Sequence, residues 1–130
     1  MITIIITSIQ DQVNYMETKK QRQVAELIKR NFGIVMQQEG SFFLEGAFVT
    51  VTDVKMSSDL GLAKIYVSIF NAEDKQATII RMDEYKYKLQ QELVTRIRKH
   101  VRRIPKIDFY IDDTLDEMDR LNNLFDKIGD

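Results

Sequence analysis

Cysteine is absent from this chain of 130 residues, and histidine and proline occur once each. Without cysteine there can be no disulfide, no thiolate metal site and no thiol nucleophile. A single histidine, His100, rules out a histidine metal cluster. No Ser, Cys or acid is tied to it by spacing, so it reads as a surface residue among arginines. With five glycines the chain carries no P-loop and no dinucleotide fingerprint, and HExxH is missing as well. No hydrophobic run is long enough to span a bilayer, because Ile2 to Ile6 stops after five residues. That run also has no basic n-region and no small-residue cleavage site, which argues against a signal peptide. These gaps exclude most metal, redox and nucleotide-hydrolysing chemistry, and they predict neither a catalytic nor a metal site, no cofactor and no membrane association.

What remains is a chain with 44% hydrophobic and 30% charged residues, the composition of one globular α+β domain. The net charge of −1 conceals a strong segregation. From Thr95 to Lys106 there are six bases and no acid, and from Asp108 to Asp130 eight acids and two bases. The molecule should be electrostatically polar.

In order along the chain, Thr18 is placed to cap a first helix reaching about Gln38, with Val24, Leu27, Ile28 and Val35 on its docking face and Lys19, Arg22 and Lys29 opposite. Val49 to Met56 and Ala63 to Phe70 are β-branched runs around the turn residues Ser57 to Leu62, which predicts a hairpin. In the second run Ile65, Val67 and Ile69 form an apolar face, and Lys64, Tyr66 and Ser68 a face open to solvent. In the first, Val49 and Val51 are out of phase with Val54 and Met56. Either a β-bulge near Thr52 and Asp53 resets the face or the strand is covered on both sides. Lys75 to Val101 is helical by composition, with Ala77 and Ile80 and then Leu89, Leu93, Ile97 and Val101 on its apolar side. It should be two helices meeting near Asp83 to Tyr87. Pro105 ends helical structure. Ile107, Phe109 and Ile111 then alternate as a third strand, and Thr114 with Glu117 forms a capping box for a last helix.

The hairpin run VTVTDVKMSSDLGLAKIYVS, together with METKKQRQVAELIKRNF before it and RRIPKIDFYIDDTLDEMDRLNNLF after it, closely resembles the ribosome-binding factor A family of bacterial small-subunit maturation factors. The likeness begins at Met16. Residues 1–15 are expected to be an N-terminal extension, a non-native start or disordered, with an added edge strand as the alternative; residues 16–130 are expected to form the KH-like ribosome-binding domain. The order αββααβ looks like a type II KH-like domain with a bent central helix pair, a three-stranded sheet and an additional C-terminal helix. The resemblance implies a cytoplasmic, non-enzymatic factor that binds the free 30S subunit and assists late maturation of 16S rRNA, including its 5′ end, especially in the cold. It implies no small-molecule substrate, and a monomer is expected. One departure is plain: the family's helix bend carries an Ala-x-Gly element, whereas Met82 to Thr95 reads MDEYKYKLQQELVT.

The residues expected to meet RNA are Lys88, Arg96, Arg98, Lys99, Arg102 and Arg103 along the third helix, extended by Arg22, Lys29 and Arg30 on the first. Lysine and arginine on one surface neutralise phosphates, and arginine adds bidentate contacts. An ordinary solvated helix face is the competing reading of the same residues. For Asp112 and Asp113 a turn role outweighs a carboxylate pair, and for Asp53 and Asp59 hairpin and turn roles outweigh a Mg²⁺ site. The tyrosines Tyr66, Tyr85, Tyr87 and Tyr110 read as packing rather than base stacking. A second functional class is a protein-interaction module using the acidic final helix, Asp116 to Asp126.

Overall fold

The computed structural model describes residues 17–112. The expectations for residues 1–15, for the final helix with its capping box and for Asp113 lie outside the described residues. Within them the elements are α1 (Lys19–Glu39), a short 3-10 turn (Gly40–Phe42), β1 (Phe48–Met56), β2 (Leu62–Phe70), α2 (Lys75–Glu84), α3 (Lys86–Ile97) and β3 (Lys106–Ile111). This is the expected αββααβ order of a type II KH-like domain.

Thr18 caps α1 as its position predicts. Its hydroxyl accepts from the Gln21 N–H at 3.1 Å, and the Gln21 side chain accepts from the Thr18 N–H at 2.9 Å, closing a reciprocal box. Gln21 is itself buried, and its Nε2 donates to the Met56 carbonyl at 3.1 Å, which fixes the first turn of α1 to the end of β1.

The sheet order is β1-β2-β3, with β1 antiparallel and β3 parallel to the central β2. Val51 pairs with Val67 and Asp53 with Tyr66, so Thr52 is the extra residue of a bulge. The bulge settles the phase problem in β1: Val49, Val51, Val54 and Met56 all fall on the face of Ala63, Ile65, Val67 and Ile69, which β3 continues with Ile107 and Phe109. The Thr52 hydroxyl donates to the Asp112 carboxylate at 2.7 Å, tying the bulge to the end of β3. On the opposite face Ser68 is buried rather than open to solvent, its small side chain lying between the larger Tyr66 and Phe70 two positions either side.

Against the apolar face pack Val24, Ile28, Phe32 and Val35 of α1 and Leu89, Leu93 and Ile97 of α3, all in one core. Two details of the helix pair differ from expectation. The stripe that α2 buries is Thr78 and Met82, and Ile80 is 57% exposed. The basic helix, expected to reach Val101, ends at Ile97. Residues 98–100 form a turn, closed by the His100 N–H on the Ile97 carbonyl at 2.8 Å. The reason is local: Pro105 restricts Ile104, and Lys106 must already be in register, its N–H donating to the Gly61 carbonyl at 2.9 Å. The bend between α2 and α3 falls at Tyr85, with φ −92° and ψ 5°, inside the expected span and without a glycine. Its ring stacks on Phe43 at 4.6 Å between centroids, so packing with the loop before β1 supports the bend.

Candidate nucleic-acid interface

α1 and α3 lie side by side and run in opposite directions. Lys88 Nζ is 3.7 Å from a Glu39 carboxylate oxygen, and eight residues later Arg96 Nε donates at 3.2 Å to Asn31 Oδ1, which lies eight residues earlier on α1. Continued past the end of α3, this alignment brings the connection 98–103 over the first turns of α1. There it meets the tip of the β1–β2 hairpin.

That tip is tightly tied. The Leu60 N–H donates to the Ser57 carbonyl at 3.0 Å, and Asp59 Oδ1 accepts from the Ser57 hydroxyl at 2.7 Å and the Gly61 N–H at 2.9 Å. Leu60 takes φ +61°, in the left-handed region that a γ-branched residue rarely occupies. The second carboxylate oxygen, Oδ2, faces Arg103 Nη1 at 3.6 Å. Asp59 is held below the usual carboxylate range, first by the Ser57 hydroxyl, then by the Gly61 N–H, with the Arg103 charge adding to both. A Cβ at Gly61 would fall 2.8 Å from Arg103 Nη2, so the guanidinium lies against the bare backbone of the turn.

Between α1, the hairpin tip and the connection is a hollow of about 530 Å³. Its cations are Lys20, Lys99, Arg102 and Arg103, with His100 beside them and Asp59 as its one carboxylate. Val24, Leu60 and Val101 supply apolar lining.

Three of the nine residues expected to meet RNA therefore converge here: Lys99, Arg102 and Arg103. Arg98 is the C-cap of α3, exposed at the start of the same connection. The other five stand apart from the hollow's lining. Arg22 lies 3.6 Å from Glu17, Lys88 and Arg96 lie along the α1–α3 seam, and Lys29 and Arg30 remain on α1, half-buried and exposed respectively. The expected single helix face is thus a short helix followed by a cationic connection. Lys20 was missed. It lies four residues before the core residue Val24, a spacing that places it on the inward edge of α1 and could have revealed it. Nothing in the residue types marks Leu60.

Other polar contacts have structural roles. Lys86 Nζ is 2.9 Å from Asp108 Oδ1 and 3.7 Å from Asp83, and its pKa is raised, chiefly by the hydrogen bond to Asp108. The rings of Tyr66 and Tyr110 stack on each other at 5.5 Å. Among the described residues no group of three or more His, Cys, Asp or Glu side chains could hold a metal ion. No described helix is long and apolar enough to cross a membrane.

The family model of ribosome-binding factor A matches residues 20–125. The chain belongs to the ribosome-binding factor A family. It is 37% identical over 113 residues to ribosome-binding factor A of Cytophaga hutchinsonii, covering 87% of this chain and 85% of that protein. The crystal structure of ribosome-binding factor A from Thermus thermophilus is similar with a TM-score of 0.59 at 22% identity, over 70% of this chain and 94% of that one. A homology model of the Thermus thermophilus factor, fitted into an electron cryo-microscopy map of its complex with 30S, matches with a TM-score of 0.51 at 22% identity, over 66% and 92% of the two chains. At these identities the structural likeness establishes the fold alone. The resemblance first seen in the hairpin and its flanks is borne out over most of the chain.

Proposed function

We propose that this protein binds the free small ribosomal subunit and assists late maturation of 16S rRNA, including processing of its 5′ end, as a cytoplasmic, monomeric factor without catalytic chemistry or cofactor. The observation that carries the RNA contact is the convergence of Lys99, Arg102 and Arg103 with Lys20 of a different element around one hollow. Four cations against one carboxylate suit the phosphate backbone of folded RNA, which is recognised by shape and charge. Membership of the family and the 30S complex of the Thermus thermophilus relative support the choice of partner.

Sucrose-gradient fractionation of a cell extract tests this directly. The protein should travel with free small subunits and be missing from translating ribosomes, and precursor 16S rRNA with an unprocessed 5′ end should accumulate when the protein is depleted. Sedimentation at the top of the gradient at low salt would contradict it.

A further inference from the structure

The hollow differs in kind from a flat basic face. Its volume of about 530 Å³ lies in the range of small-molecule sites, and its cations surround three aliphatic side chains. Phosphate contact alone would not need the aliphatic groups. A nucleotide has both parts, an anionic phosphate and an apolar base face, and the base is available only where it is not paired within a duplex.

Leu60 points the same way. A left-handed backbone costs an ordinary L-residue on the order of 1–2 kcal/mol, and glycine or asparagine would avoid much of that cost. Here the position holds leucine, at φ +61°, and lines the hollow. Strained positions of this sort concentrate where a side chain is held for a ligand. Asp59 is built into the same wall. Its Oδ1 is committed to the turn, while Oδ2 faces Arg103 from a distance that a phosphate oxygen could improve on.

We infer that the hollow between α1, the hairpin tip and the connection 98–103 receives one unpaired nucleotide of a single-stranded RNA segment. Lys99, Arg102 and Arg103 hold its phosphate, and Leu60, Val24 and Val101 meet its base. The site rests on the proposed RNA-binding role and narrows it to an extruded or single-stranded nucleotide. It lies at the far end of α3 from the bend at Tyr85, a distance of about 18 Å for twelve helical residues.

The test uses the full chain with two fluorescent probes at low salt, a single-stranded RNA pentanucleotide and a blunt RNA duplex of equal charge. The single strand should bind at least fivefold more tightly. Leu60→Asn, which tolerates the left-handed backbone and removes the aliphatic wall, should reduce that preference to less than twofold. Equal binding of the two probes by the unmutated chain overturns the proposal without relying on any variant, as does a preference that survives in a folded Leu60→Asn protein. Gradient sedimentation separates this result from the ribosomal reading. A retained probe preference without small-subunit association leaves the hollow assignment standing alone. Association without the preference removes the hollow assignment and keeps the proposed function.

Discussion

Arg103 and Asp59, forty-four residues apart, meet at the mouth of the hairpin, with Nη1 3.6 Å from Oδ2. The contact joins the cationic connection to the turn and places the only carboxylate of the hollow against one of its four cations. It also makes Arg103 a group with an internal partner to exchange when RNA arrives.

Replacing Asp59 by Asn separates these roles. Asparagine keeps an acceptor at Oδ1 for Ser57 and Gly61 and removes the charge facing Arg103. Affinity for the single-stranded probe should rise about two- to fivefold, as expected for release of an exposed ion pair, with a steeper salt dependence. Fluorescence titration between low and moderate salt measures both. Unchanged or weaker binding would show that Asp59 does not restrain Arg103.

Gln21 is the polar residue on which the α1–β1 junction depends. Gln21→Ala loses half of the capping box and the bond to Met56 inside a buried contact, so it should cost about 1–2 kcal/mol in urea unfolding. A loss near zero would mean that neighbouring groups or water replace both bonds.

Lys86 sets an alkaline limit on part of the stability. Its folded-state pKa is raised above 10.5, mainly by Asp108, so the stabilisation is complete below the unfolded value and is lost as pH rises through the folded one. The stability difference between the unmutated chain and Lys86→Met should therefore hold constant at neutral pH and shrink above about pH 10.5. Urea midpoints of both proteins across that range test the sign. A difference that grew with alkalinity would contradict the assignment.

Much of this architecture could be read from residue patterns because the controlling signals are local. The phase break between Val51 and Val54 predicts the bulge at Thr52, Thr18 predicts its own cap, and Pro105 predicts the stop before β3. Less was visible where packing chooses between two stripes on one helix. Ala77 and Ile80 are the more apolar pair on α2, yet Thr78 and Met82 are buried. Thr78 can go inside because its hydroxyl finds the Asp74 carbonyl at 3.4 Å, and Met82 adapts to the space available. The interface was legible as a run of bases but not as a shape. Its geometry depends on where α3 ends, on the approach of Lys20 from α1 and on the left-handed backbone of Leu60, all of which are set by contacts between elements distant in sequence.

The connection 98–103 as the RNA-holding element is tested most directly by co-sedimentation with purified free small subunits over a series of salt concentrations, comparing the unmutated chain with a variant carrying Arg98→Gln, Lys99→Gln, Arg102→Gln and Arg103→Gln. The variant should stay folded by circular dichroism, lose association at moderate salt and show a salt slope shallower by about 3, as expected for four fewer phosphate contacts. A folded variant that sediments with the subunits as the unmutated chain does, with the same slope, would contradict the account.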